Sequence, residues 1–386
     1  MNPLRIAFLC NEYPPGAHGG IGTYTRNLSR WLVRAGHEVR IFGCYKGIGP
    51  GDEIEDDQGV QVFRMPNPQG PCNWIRLRWR LFQRAKQWSD RGEIDLIEIP
   101  DWQGWGAAWP RLSVPVLIRL HGSATYFNLE AGNPTDCMTK WLESNSLKRA
   151  DACASVSSYT ASRTADAFKF TPALSKTLYN SVALKNNHPI SARSRNDIVF
   201  SGTLTKKKGV TSLIQAWNRV VGTFPDARLH LYGKDGFICP EQSMQVFLSG
   251  LLSDSTRPTA IFHGHQANET LLGSLAKARA AVFPSYAEAF ALAPLEAMAC
   301  GCPTIYTERG SGRELMQDGV HGLLIDPDNI DQLADALMRL LSDDGLAGRL
   351  GNAGWTTIKE RFCPAIVVPE NEQFFRLCIE RFKQDL

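Results

Sequence analysis

Two glutamates bracket seven small or apolar residues in Glu288-Ala-Phe-Ala-Leu-Ala-Pro-Leu-Glu296. A carboxylate buried without a partner is costly, so each must face water, a hydrogen-bond donor or a ligand. Proline suits the first turn of a helix and disrupts an interior, which predicts a helix start near Pro294. Glu288 then lies in the preceding loop and Glu296 in the first helical turn. There a carboxylate also has a purely structural use, stabilising the helix dipole. Phe290, Ala291 and Leu292 would bring backbone N–H groups to the helix entrance.

Three more loops carry unusual residues. In GGIGTY, Gly19, Gly20 and Gly22 precede a helix expected to begin near Thr23. Glycines let backbone approach a ligand closely and a helix start attracts anions, so the loop reads as a phosphate site or as a plain turn. It is neither GxGxxG nor a Walker A loop. RLHGSAT sets His121 directly after an apolar strand, able to donate to a sugar hydroxyl or to developing negative charge, or else satisfied by backbone. In SGTLTKKKG, Lys206, Lys207 and Lys208 precede a glycine and a helical pattern at 210–220. A lysine there can reach a diphosphate as a point charge, and at least one of the three should be solvated.

The elements that position these loops are legible in the alternation of short apolar runs with helical patterns, the signature of βαβ units. Strands are expected at 6–10, 38–42, 60–64, 96–99, 116–120 and 152–156, then at 197–201, 229–232, 260–262, 280–284 and 303–306. Helical patterns occupy 21–35, 77–88 and 370–383. A polar, turn-rich stretch at 180–196 reads as a linker between domains at 1–179 and 197–362, with 363–386 packing back on the first. Ligands of open parallel sheets bind beyond the carboxyl ends of strands, where the four loops lie.

Bulk composition agrees with an α/β protein of two domains. The chain has 386 residues, 43% hydrophobic and 21% charged, and a formal charge of +3 too small to argue for nucleic acid. Ten scattered cysteines without a CxxC pair suggest reduced thiols in a cytoplasmic setting. The apolar start lacks a cleavage site, and no segment reaches the roughly 20 apolar residues needed to span a bilayer.

Taken in order, GGIGTY, RLHG, SGTLTKKKG, E-x7-E with AMACG, and RELMQDGVHGLLIDPDN resemble the family-4 retaining glycosyltransferases of GT-B fold, of the bacterial surface- or exopolysaccharide type. The resemblance runs over nearly the whole length. It implies two Rossmann-like domains facing across a cleft, and transfer of a hexose from a nucleoside-diphosphate sugar to a saccharide or lipid-linked saccharide. UDP-glucose is the first donor to test on family frequency. Glu296 would hold the ribose hydroxyls, with its two acceptor oxygens. Glu288 and His121 would meet the donor sugar, and Lys208 the phosphate. The amides of Phe290, Ala291 and Leu292 would line the sugar–phosphate site, with Gly19, Gly20, Gly202 and Thr203 also at the donor. No metal or other cofactor is implied, since lysine and backbone N–H groups supply the neutralisation. Asp326-Pro-Asp328 is formally a DxD but reads as a turn and helix cap before Ile330.

Two departures stand out. Thr203 replaces the family's arginine in GRL, and Ala291 replaces a glycine. Losing one charge-assisted contact to a leaving group costs about 2–4 kcal/mol in barrier by analogy with oxyanion donors, unless Lys206, Lys207 or Arg313 compensates. On the acceptor side, Tyr24, Asp101 and Trp102 are candidates, tryptophan faces being suited to sugar rings or to core packing. Arg76, Arg80 and Arg84 recur at four-residue spacing, beside an apolar stripe of Ile75, Trp79 and Phe82. Such a helix could rest on an anionic membrane or be an ordinary surface helix. Other readings of the same residues are a nucleotide-sugar epimerase of this fold and a non-catalytic nucleotide-sugar-binding partner.

Overall fold

The computed structural model describes residues 2–16, 18–186, 192–239 and 242–385. It forms two compact units, Met1–Ser181 with Pro364–Leu386, and Val182–Cys363. Of the stretch read as a linker, residues 187–191 lie outside the described residues. Val182 and Lys185 already belong to the second unit, their amides donating to Phe362 O (3.1 Å) and Ala299 O (3.1 Å).

The first unit is built on eight strands: β1 (Arg5–Leu9), β2 (Glu38–Tyr45), β3 (Glu53–Asp57), β4 (Val60–Pro66), β5 (Leu96–Pro100), β6 (Val116–Leu120), β7 (Ala152–Ser155) and β8 (Ser175–Thr177). Their order is β3-β4-β2-β1-β5-β6-β7-β8, all parallel except β3 against β4. The central strands RIAFL, LIEIP and VLIRL are near-continuously apolar because helices cover both faces of a parallel sheet. Two charges break that pattern and satisfy each other. Arg119 Nη2 donates to Glu98 Oε2 (2.8 Å), the side chains 1% and 3% exposed. Tyr24 Oη donates to Glu98 Oε1 (3.0 Å), and Asn371 Oδ1 accepts from Arg119 (2.6 Å). Asn371 lies on helix Pro364–Gln384, so this buried cluster ties the last helix to the sheet.

The second unit contains β9 (Asp197–Ser201), β10 (Arg228–Tyr232), a hairpin of β11 (Phe237–Cys239) and β12 (Gln242–Ser243), then β13 (Ala260–Gly264), β14 (Ala280–Phe283), β15 (Thr304–Thr307) and β16 (Leu323–Ile325). Six form a parallel sheet in the order β13-β10-β9-β14-β15-β16. The chain builds outward from β9 on one side and from β14 on the other. The loops after these two strands therefore open side by side at a topological switch point. In the first unit the same reversal falls between β1 and β5.

Strands β3, β8, β11, β12 and β16 were not expected, for two reasons. EIEDD and SKT lack an apolar pattern, and the remaining three are two or three residues long. The helix of the GGIGTY loop begins at Gly20, not near Thr23, because the Thr23 amide already donates to Gly19 O (3.2 Å).

What locks the two switch-point loops together is Gly209. It sits at φ +70°, and a Cβ there would lie 1.8 Å from the Pro284 carbonyl oxygen. The Tyr286 amide, two residues on, donates to Lys207 O (2.8 Å). Gly209→Ala is expected to destabilise the protein by about 2–4 kcal/mol, because strain and a backbone clash add. Gly36→Ala, at φ +93° with nothing within 4 Å, should cost only the left-handed strain, about 1–2 kcal/mol. Urea denaturation of the two variants measures the difference.

Candidate functional site

The switch point of the second unit brings together residues eighty positions apart. Lys208 closes a single 3₁₀ turn (Lys206–Lys208) after β9, and its Nζ donates to Glu288 Oε1 at 2.5 Å. Glu288 is buried, 7% exposed, in the loop after β14. Burial pushes its carboxyl up, but Lys208 and then Lys207 outweigh that effect and hold it below the usual carboxylate range. The loop is pressed from its other side by Gly310, at φ +63°, where a Cβ would lie 2.8 Å from Glu288 O. The result is a fixed, ionised carboxylate with its cation within hydrogen-bond reach.

Helix Leu292–Ala299 starts four residues beyond Glu288. Its N-cap Ala291 has no side-chain acceptor to offer, so no local cap covers the helix entrance from that residue. The Phe290 side chain turns inward onto Phe362 (centroids 5.5 Å apart), which leaves its backbone as the part near the entrance. Pro294 is the third helical residue, so Glu296 is the fifth, two residues deeper than the first-turn position expected from sequence. That corrects the dipole account of Glu296, since the first turn contains no acid. Burial pushes the Glu296 carboxyl up to about 7, opposed by Lys185 and by a hydrogen bond with Asn268. Neither neighbour was found from sequence: Lys185 lies in the stretch read as linker.

The other residues at this end are less direct. Gly202 adopts φ +151° and donates its amide to Tyr232 O (2.9 Å), while Thr203 is exposed. Arg313 pairs with Glu308 and is 72% exposed. Asp326 and Asp328 do not cap the following helix. Asn329 does, accepting from the Gln332 amide (3.0 Å), while the two aspartates accept from Arg309 at 2.6 and 2.5 Å. Arg309 in turn lies over the Tyr286 ring at 5.3 Å. Sequence spacing could not find this cluster, which joins the loops after β14, β15 and β16.

In the first unit His121 follows β6. Its ring meets the edge of Tyr24 at 4.6 Å, and burial with the Arg119 charge lowers its pKa to about 3. It is a neutral imidazole at any working pH, a hydrogen-bond donor or acceptor and not a cation. Asp101, expected at an acceptor, is 2% exposed and accepts from the amides of His121 (2.9 Å) and Gly122 (3.1 Å). Its role is to hold the His121 loop, and Glu143 braces the next residues through the amides of Ala124 and Thr125. Tyr24 is likewise committed, to Glu98. Trp102 stays half-exposed, edge-on to Phe127 at 6.5 Å.

Near Gly19 and Gly20 the sequence conceals an internal acid. Glu12 Oε1 accepts from the Gly22 amide (2.8 Å), so a carboxylate of the same chain occupies this helix start. Gly22 is the position that requires glycine, since a Cβ would lie 2.1 Å from Glu12 O. The basic helix also differs from expectation. On Asn73–Asp90, Arg78 is buried and Arg80 and Arg84 both pair with Asp52, while Phe82 is buried. Trp74, Ile75 and Trp79 are left about half-exposed, at 43%, 48% and 52%.

Among known proteins, residues 18–186 match the family model "Glycosyltransferase Family 4" and residues 185–356 the model "Glycosyl transferases group 1". The chain thus belongs to the family-4 glycosyltransferases of GT-B fold, which use nucleotide-sugar donors. It is 25% identical to an uncharacterised glycosyltransferase of Methanocaldococcus jannaschii, over 98% of this chain and 99% of that one. It is 27% identical to the glycogen synthase of Mycobacterium tuberculosis, over 91% and 89%. Among solved structures, sucrose-phosphate synthase of Thermosynechococcus elongatus superposes with a TM-score of 0.79 at 22% identity, covering 96% and 98% of the two chains. Anabaena HepE, solved with UDP and glucose, gives 0.72 at 19%, also covering 96% and 98%. These two likenesses concern the fold.

Glu296 carries a pH signature. Its folded pKa of about 7 exceeds the ordinary carboxylate value, so its ionised form is disfavoured in the ligand-free fold. The penalty is absent below the unfolded pKa and grows until pH passes the folded one. Glu296→Gln is therefore expected to stabilise the ligand-free protein by about 1–3 kcal/mol at pH 8, fading toward pH 4.5. Urea denaturation across that range provides the check.

Proposed function

We propose that this glycosyltransferase is a retaining hexosyltransferase that works without a metal ion, with UDP-glucose as its donor. The observation that carries the reading is the Lys208–Glu288 pair at the switch point of the second unit. A diphosphate arriving there would take Lys208 as its counter-ion and release Glu288 to accept from the donor sugar. The N–H groups at the Leu292–Ala299 entrance would meet phosphate oxygens, as helix starts do. Glu296, one turn deeper, would accept from the ribose hydroxyls, and Gly202 and Thr203 would border the phosphates. In the first unit Gly19, Gly20 and His121 would serve the same donor, with His121 as a neutral hydrogen-bonding group.

Retention follows if the new bond forms on the face the nucleotide leaves. The departing phosphate, its charge held by lysine and helix amides, then takes the proton of the acceptor hydroxyl, and no enzyme nucleophile is needed. The acceptor in this reading is a saccharide or lipid-linked saccharide on the first unit, with half-exposed Trp102 a stacking surface. Exposed Trp74, Ile75 and Trp79 suit peripheral contact with the inner face of a membrane, and ten free thiols suit a reducing cytoplasm.

Calorimetry with UDP, paired with a transfer assay, tests the two acids separately. Glu296→Ala is expected to weaken UDP binding at least about tenfold, the loss of a charged hydrogen-bonding partner. Glu288→Ala should leave UDP affinity unchanged or tighter, because Lys208 no longer has an internal partner, while transfer falls at least about 100-fold. Unaltered UDP binding in the first variant would remove the ribose assignment.

A further inference from the structure

At the amino end of β6, opposite the end that bears His121, the first unit has a cavity of about 350 Å³. Its floor is apolar, from Ile99, Leu112 and Val116, and its rim carries Arg111, Lys148 and Arg149. None of these three cations has an ion-pair partner among the described residues. Arg111 is nonetheless placed, its guanidinium lying 5.0 Å over the Phe382 ring. Trp109 also lines the cavity. It is 4% exposed, and its indole Nε1–H finds no acceptor among the described residues.

A buried N–H without an acceptor is uncommon and asks for an oxygen from elsewhere. Arg111, Lys148 and Arg149 are exposed side chains that share the lining with Trp109, which favours a charged oxygen there, and arginine forks match tetrahedral oxyanions in particular. Two carboxylates share the wall. Asp151 is already an acceptor for the Val116 amide (2.8 Å), and burial pushes its carboxyl up against the opposing pull of that bond and of the Arg111 charge; Asp385 is exposed. The cations still outnumber them. We propose that this cavity binds an oxyanion of the phosphate type, held by Arg111, Lys148, Arg149 and the Trp109 indole. The site lies in the first unit and is separate from the Lys208–Glu288 pair, so it does not depend on the donor assignment. Its apolar floor suits a phosphate that carries an organic group, either a free phosphorylated metabolite or a phospholipid headgroup.

The Trp109 indole resonance of the full-length, ¹⁵N-labelled protein, identified with Trp109→Phe, reads the site directly. Inorganic phosphate, against chloride at matched ionic strength, should shift it saturably with a dissociation constant in the millimolar range. The double variant Arg111→Ser/Arg149→Ser should bind at least about tenfold more weakly. Lys208→Ala, made at the other phosphate-binding candidate, should leave the Trp109 response unchanged. Vesicles of phosphatidylglycerol supply the second arm: a shift with vesicles and none with free phosphate would assign the phosphate to a headgroup. No saturable shift in either arm would overturn the proposal, as would an equal response in the double variant. Should that variant fold poorly, Lys148→Ser alone is expected to weaken phosphate about threefold, and no weakening would count against the site.

Discussion

The chemistry of the second unit depends on how closely two loops approach at the centre of its sheet. Gly209 lets the turn after β9 lie directly on Pro284, the first residue beyond β14. That contact sets Lys208 beside Glu288 and allows a buried acid to stay ionised. Without a cation at hydrogen-bond distance, desolvation would favour the protonated form, which could no longer serve as a pure acceptor. The same loop is fixed a second time by Gly310 pressing on the Glu288 backbone. Two glycines fix the position of the acid, and Lys208 with Lys207 sets its charge.

The first unit solves a comparable problem with different residues. Its parallel sheet buries Glu98 and Arg119, which satisfy each other and draw in Tyr24 and Asn371. Next to this cluster, Asp101 and Glu143 take up the amides of the His121 loop. These carboxylates are structural acceptors, and they fix the backbone from which His121 projects. Burial, helped by the Arg119 charge nearby, keeps that imidazole neutral. In the second unit a lysine partner keeps a buried acid ionised, and in the first burial keeps a histidine neutral with Arg119 adding to the effect.

Much of this was legible beforehand because the signals are local. The central strands are continuous apolar runs, Pro294 marks a helix start within two residues, and Gly209 follows the lysines it serves. The failures have physical causes as well. Exposed edge strands such as EIEDD have no buried face to print an apolar pattern. Asp101 and Tyr24 look like surface chemistry in sequence, yet their partners, the His121 amide and Glu98, lie 20 and 74 residues away. Arg80 and Arg84 recur at helical spacing, but only the fold shows both drawn onto Asp52.

By itself the sequence determined the alternation of strand and helix, the placing of loops at the carboxyl ends of strands, and the family motifs they carry. These follow from periodicity and from residues whose backbone preferences act over a few positions. Tertiary structure alone decided which acids have internal partners: Glu288 a lysine, Glu98 an arginine, Asp101 two amides, and Glu296 only Lys185 and Asn268 to offset its burial. The reason is that a carboxylate's protonation and freedom depend on desolvation and on charges within a few ångströms. Those neighbours come from distant segments, and folding is what brings them near.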